Sequence, residues 1–261
     1  MQDLHPALWR AHQLGHQRQA AWPSGHAVLD AELPGAGWPA RALTELLLAH
    51  PGVGEMRLLA PVLAAVQRQQ RSVMLFDPPA ALYGWAWCAL GLDVQQLVVV
   101  NGRGRGRGSA RGSARGSAHD VLLAADTLWA LEHALKSGLV GAVLAWLPQH
   151  VRADALRRLQ LAAQAHDGPA FVLRHSLARS RPSAAPLRLL LAPGAPDELR
   201  VTLLKRRGPP LLRPLTLALA PVLAAPGRAR ALRAMPAVPA VGASEVDVDA
   251  AAARAAASAA V

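Results

Sequence analysis

Lysine is nearly missing from this chain: only Lys136 and Lys205 occur, and the other 26 of the 28 basic residues are arginine. That bias fits a GC-rich coding sequence at least as well as a functional demand for arginine. Cysteine is rarer still. Cys88 stands alone, which excludes an intramolecular disulfide. Set in an apolar helical stretch, it is expected to be a small buried residue. Aromatics other than tryptophan are scarce, with two Phe and one Tyr against seven Trp. No run of about 18 residues is apolar without interruption by Pro, Gly or charge, so no membrane-spanning helix and no membrane partner are expected. The opening Met1-Gln2-Asp3-Leu4-His5-Pro6 lacks the basic and apolar blocks of a signal peptide, and a cytoplasmic protein is expected. Nothing like a nucleophile elbow precedes a helix. His12 and His16 lie one helical turn apart, but without a nearby acid or Cys they make a poor metal site. No metal and no cofactor are therefore expected.

What is present suffices for one large domain with a core, or a domain and a tail, in 261 residues. The apolar fraction is 52%, much of it alanine. The formal net charge is +11, and five of those charges, Arg103, Arg105, Arg107, Arg111 and Arg115, sit in one segment; removing them leaves 11 − 5 = +6. Such a balance suits a nucleic-acid partner and suits a merely solvated basic surface equally well.

Leu4, Leu8, Ala11 and Leu14 have helical spacing and predict an N-terminal helix within residues 1–22. Ser24 is placed to cap a second helix carrying Val28, Leu29 and Leu33, which the turn Pro34–Pro39 must end. Apolar strands are expected at 43–48, 72–76, 97–100, 142–147, 170–173, 187–191 and 199–204. Helical stripes fall between them, at 58–66, 80–90, 124–136 and 152–165. Continuous apolar strands alternating with helices predict an α/β fold, a mostly parallel sheet with helices on both faces. The short turns between the last strands point to an antiparallel end. Residues 102–118 are a Gly-Ser-Ala-Arg repeat that cannot bury a core and should be disordered. This run suits single-stranded nucleic acid through its charge but lacks aromatics for stacking; repeat expansion explains it as well. From 214 to 261 the pattern dissolves into Ala, Pro, Leu and Arg, expected as a flexible tail. The folded domain is thus bounded at 23–213.

One turn carries a chemical signature by omission. Thr44–Leu48 reads as a strand, His50-Pro51-Gly52-Val53-Gly54 as a glycine turn, and Glu55-Met56-Arg57 as the start of a helix. A nucleotide-hydrolysing loop needs Lys for the β/γ-phosphates and then Ser or Thr for Mg²⁺ after its last Gly. Glu55 and Met56 occupy those places, and a carboxylate repels a triphosphate. The second Mg²⁺ ligand is also wanting: the strand at 142–147 ends in Trp146, and the nearest downstream acid is Asp154. Glu45, on the strand entering the turn, reads as a partner in a structural or interface salt bridge rather than a catalytic base. Lys205, Arg206 and Arg207 form a basic cluster at a strand end, either a contact site or an ordinary solvated strand end. Trp9, Trp22 and Trp38 lie outside the clear strands and suit either sheet packing or a partner surface.

Taken in order, Ser24-Gly25-His26-Ala27-Val28-Leu29-Asp30, Leu33–Pro39, Leu43–Leu47 and Gly52–Leu59 resemble the ImuA family, RecA-like proteins associated with translesion synthesis and related to SulA-type division inhibitors. Asp77-Pro78-Pro79, Leu128–Glu132, Ala142–Trp146, Leu156–Ala163 and Leu204–Gly208 extend the similarity over roughly residues 5–210. Ser24 replaces the family's usual Thr. Ala36 replaces one Gly of a Gly-Gly-Gly run, which should stiffen that loop. The resemblance implies a RecA-like fold and a non-catalytic accessory role in the SOS DNA damage response, in mutagenesis and repair by translesion synthesis. It implies as partners an ImuB-like Y-family polymerase homologue and an error-prone replicative-type polymerase. A recombinase filament, DNA and self-association are further partners it allows. A cell-division inhibitor and a DNA-dependent ATPase are the alternatives, the second disfavoured by the missing Lys.

Overall fold

The computed structural model describes residues 20–102, 118–211 and 213–221. The helix expected over 4–17, with Trp9, His12 and His16, lies outside the described residues, as do nearly all of the 102–118 repeat and residues 222–261. The described part is a mixed α/β unit built on an eight-stranded sheet.

The chain begins with a two-residue strand, β1 (Ala21–Trp22), which pairs antiparallel with β2 (Trp38–Pro39). Ala21 and Trp22 fall in the 1–22 stretch assigned to the N-terminal helix and are extended instead. Between them lies one turn of helix, α1 (Ala27–Asp30). It is shorter than the helix expected from Ser24. The Ser24 hydroxyl accepts from the His26 N–H two residues on (3.1 Å), outside the helix, and α1 has no side-chain cap. The reversal at Gly35-Ala36-Gly37 holds Ala36 at φ +59°, a conformation costly for any residue with a Cβ.

Then follow β3 (Leu43–Leu48), α2 (Glu55–Arg68), β4 (Val73–Phe76), α3 (Gly84–Ala89), β5 (Leu97–Val100), α4 (Ala118–Ser137), β6 (Ala142–Trp146), α5 (Ala153–Ala163) and β7 (Ala170–His175). Three strands close the sheet: β8 (Leu187–Pro193), β9 (Glu198–Lys205) and β10 (Leu215–Ala218). The spatial order is β10-β9-β8-β3-β7-β6-β4-β5. The six strands from β8 to β5 are parallel; β9 pairs antiparallel with β8, and β10 antiparallel with β9. The flexible tail expected from 214 is corrected by β10, whose Leu217 is buried against the sheet while Leu215–Ala218 pair with Glu198–Val201.

Two apolar layers flank the sheet. Leu46, Leu48, Leu75, Leu144 and Leu173 face one way, onto Leu58, Leu59, Val62, Leu63 and Val66 of α2 and Trp87 of α3. Leu43, Val143, Ala145 and Val172 face the other, onto Leu131 and Leu135 of α4 and Leu156 and Leu159 of α5. Each fully buried Leu in these layers contributes about 1.5–3 kcal/mol. Helices therefore cover both faces, as parallel strands require. β3 is buried along all six residues and sits between β7 and β8, so the glycine turn that follows it opens at the middle of the sheet.

The helix expected over 80–90 narrows to Gly84–Ala89, because Pro78, Pro79 and the bends at Pro79 and Ala80 keep the residues before it out of helix. On so short a helix only Trp87 reaches the core, and Cys88 is exposed, correcting its expected burial. Trp38 is fully buried, its ring edge-on to Phe171 at 5.2 Å, and Trp22 packs half-buried on the same layer. Neither offers a partner surface. Among the described residues, the exposed tryptophans are Trp85 and Trp129.

Candidate functional site

The glycine turn has two residues in the left-handed region, Gly52 (φ +92°) and Gly54 (φ +116°). At Gly54 a Cβ would lie 2.9 Å from Leu219 Cδ1, the movable end of a side chain, so it is the left-handed conformation that calls for glycine there. This backbone turns its N–H groups inward at the start of α2, the arrangement that elsewhere cradles a phosphate. Here the occupant is part of the chain. The Gly52 N–H donates to Glu55 Oε1 (2.7 Å) and the Gly54 N–H to Glu55 Oε2 (3.1 Å). Glu55 is buried, with 3% of its surface exposed. One carboxylate thus satisfies two loop donors and lies at the positive end of the helix, where an anion is favoured.

The residues on either side of that contact are equally committed to structure. Met56 packs half-buried against the α2 layer. Arg57 Nη2 pairs with Asp197 Oδ1 at 2.7 Å and donates to the Leu219 carbonyl at 3.1 Å, while its Nε donates to the Ala220 carbonyl at 3.0 Å. Arg57 therefore ties α2 to the β8–β9 turn and to the segment leaving β10.

Beside the turn, at the carboxyl ends of β3, β4, β6 and β7, lies an open cavity of about 170 Å³. Leu48, His50, Pro51, Trp146, Leu147 and Leu173 give it a largely apolar lining. Trp146 ends β6 where a metal-holding carboxylate would be sought, and Asp154 is instead paired with exposed Arg152 at 3.2 Å. Among the described residues, no group of three His, Cys, Asp or Glu is placed to hold a metal ion.

The acid on the cavity wall is Asp77, which in the sequence figures only as part of the Asp77-Pro78-Pro79 match. It adopts φ +48° and accepts from the Gly102 N–H (2.7 Å) and the Thr127 hydroxyl (2.8 Å). The two donors flank the Arg/Gly/Ser repeat, so Asp77 fastens the chain on both sides of it. The signal in the sequence was an acid immediately before Pro-Pro.

Glu45 is fully buried, and both its oxygens are engaged: Arg174 Nη1 at 2.6 Å on one, Arg188 Nε at 2.6 Å on the other. The guanidinium groups donate onward to backbone carbonyls, Arg174 to Gln149 (3.0 Å) and Arg188 to Ala178 (3.0 Å). Fully buried and paired with a guanidinium on each oxygen, this carboxylate is out of reach of any substrate. It braces β7, β3 and β8 across the centre of the sheet. Arg174 and Arg188 escaped sequence reading; each is a lone charge in an otherwise apolar strand, and that was the available signal.

The basic cluster lies at the other end of the sheet from the turn, where β9 finishes beside the start of β8. Lys205 donates to the Ser183 carbonyl (3.1 Å), and Arg206 pairs with Glu32 (2.7 Å) and donates to the Pro209 carbonyl (2.8 Å). Only Arg207 of the three is left with no partner among the described residues. Lys205 and Arg207 are exposed and Arg206 is half-buried, and the structure does not bring the cluster to Gly52–Arg57.

No protein-family model matches this chain, and no curated protein is significantly similar to it.

Proposed function

We propose that this protein is a non-catalytic accessory factor of damage-induced translesion DNA synthesis. On this reading a RecA-like core serves as a docking platform for a Y-family polymerase homologue, with an error-prone replicative-type polymerase as a further partner. The observation that carries the non-catalytic part is the Glu55 carboxylate bonded to the Gly52 and Gly54 N–H groups. A nucleotide phosphate would have to displace it from a buried position, with no lysine to compensate. Arg57 cannot substitute, because Asp197 and two carbonyls hold it. The architecture supports the platform part. A mostly parallel sheet with a glycine turn leaving its interior strand is compatible with a RecA-like core, and the ordered motifs from Ser24 to Gly208 resemble the ImuA family within it.

Two measurements test this reading. Purified protein is expected to retain an ImuB-like polymerase homologue in a pull-down; absence of a complex at micromolar concentration overturns the platform. Titration calorimetry with ATP and Mg²⁺ is expected to show no heat of binding, and single-stranded DNA to elicit no phosphate release. DNA-stimulated phosphate release overturns the non-catalytic role.

A further inference from the structure

The cavity on the carboxyl ends of β3, β4, β6 and β7 lies where neighbouring strands send the chain to opposite faces of the sheet. β4 leads to α3, whose Trp87 packs on the α2 face, while its neighbour β6 leads to α5 on the other face. β3 leads to α2, while its neighbour β7 leads to a segment whose Ala185 is buried on the α5 face. Crevices between loops that diverge in this way are where open α/β sheets take small ligands.

The polar groups on the β6–β7 wall are donors. Trp146 and Arg174 both line the cavity, and Trp146 Nε1 and Arg174 Nε are buried without an acceptor. An N–H withdrawn from water with no partner is destabilising, and an acceptor supplied by a ligand removes that penalty. Both nitrogens lie beneath the cavity surface, so each is met after a small turn of its side chain, a common adjustment on binding. His175, at the end of β7, adds a third donor. Its Nδ1 accepts from the Leu177 N–H (3.2 Å), so Nε2 carries a proton whether the ring is neutral or charged.

Charge points the same way. Two buried guanidinium groups, Arg174 and Arg188, share the single carboxylate of Glu45, which leaves one net positive charge behind this wall. The nearby acids are engaged elsewhere: Glu55 holds the Gly52 and Gly54 N–H groups, and Asp154 pairs with Arg152. Asp77 is on the far wall, two strand spacings or about 10 Å from β7, and accepts from Gly102 and Thr127. An anion is therefore favoured at β6–β7 and disfavoured at β4. The rest of the lining is apolar, with Leu48, Pro51 and Leu147, which suits a hydrocarbon body rather than a phosphate chain. The volume, about 170 Å³, is below the range of about 300–1,000 Å³ for drug-sized sites, so the ligand is small. We infer that this cavity binds a small monocarboxylic acid with an apolar body. Its carboxylate accepts from Trp146, Arg174 and His175, and its body covers Leu48, Pro51 and Leu147. The site does not rest on the polymerase reading, and a failed pull-down leaves it standing.

The test is titration calorimetry of the full chain with phenylacetate. Saturable binding is expected, with a Kd of about 1 mM or tighter. Phenylacetamide, of the same shape without the charge, should bind at least about tenfold more weakly. Acetate, which lacks the apolar body, should not saturate over the range in which phenylacetate does. Trp146→Phe keeps an aromatic wall and deletes the orphan donor, so it should weaken phenylacetate at least about fivefold while melting near the parent. The unaltered chain supplies an independent readout: one tryptophan indole N–H resonance should move with phenylacetate and stay in place with acetate. Three results would each overturn the site: no saturable binding of phenylacetate; phenylacetamide binding as tightly; or phenylacetate binding that moves no indole resonance and is unchanged in a folded Trp146→Phe.

Discussion

Replacing Glu55 with alanine removes the acceptor on which the glycine turn closes. Two N–H groups lose an ionised partner, the contacts at 2.7 and 3.1 Å. Hydrogen bonds to charged groups contribute about 1.5–3 kcal/mol each when no other partner replaces them. Gly52 is exposed and Gly54 half-buried, so water takes up part of this loss. Losing an acid from the first helical turn adds up to about 1 kcal/mol. The expected destabilisation is therefore about 2–4 kcal/mol. For a domain of this size each kcal/mol lowers the melting temperature by about 2–4 °C, so a fall of about 4–16 °C should be seen by circular dichroism. Glu55→Gln keeps one acceptor oxygen but turns an amide NH₂ toward the other donor, and it should fall close to alanine. Adding inorganic phosphate at about 20 mM should raise the melting temperature of Glu55→Ala, because two freed N–H groups at a helix start favour an anion. The parent, whose donors are occupied, should respond no more than to chloride of equal ionic strength. A Glu55→Ala variant within about 0.5 kcal/mol of the parent, or equal phosphate responses in the two proteins, would refute the account of a self-occupied phosphate cradle.

Three further outcomes follow from the same structure. Glu45→Gln should destabilise by about 3–5 kcal/mol in urea unfolding, because it leaves Arg174 and Arg188 buried without their counter-ion, whereas Glu45→Met, Arg174→Leu and Arg188→Leu combined should restore most of that stability. His166 is fully buried with neither ring nitrogen hydrogen-bonded, and burial lowers its pKa from 6.5 to about 4 against the opposing pull of Asp167. The unfolded chain then binds a proton more readily than the folded one, so stability is constant above about pH 6.5. It falls as the pH drops toward about 4 and levels off below, a total of about 3 kcal/mol. Subtracting the pH profile of His166→Leu from that of the parent should reveal this step. Ala36→Gly should stabilise by about 0.5–1 kcal/mol, since Ala36 sits at φ +59°; a loss of stability would show that its methyl packing outweighs the strain.

Much of the architecture was legible because it depends on periodicity. Runs such as Leu43–Leu48 and Ala142–Trp146 are apolar throughout, and only strands buried on both faces call for that. The elements misread were short or weakly patterned. β10 has only four residues among prolines and leucines, and it is ordered by its ladder to β9 rather than by any pattern of its own. Cys88 looked buried because its neighbours are apolar, yet α3 is too short to turn more than Trp87 inward.

The sequence alone determined what the glycine turn lacks: a missing Lys and Ser/Thr is a statement about which groups exist, and no fold can supply them. It also determined that Glu45 is a strand charge requiring a partner. Which groups meet was decided only in three dimensions. Arg174 and Arg188 lie 129 and 143 residues from Glu45 and reach it because β7 and β8 flank β3. The sheet likewise put Lys205–Arg207 at the end away from Gly52–Arg57. The Glu55 carboxylate folds back onto its own turn because left-handed Gly52 and Gly54 aim their N–H groups at it. That conformation is a property of backbone geometry, which residue identity permits but does not specify.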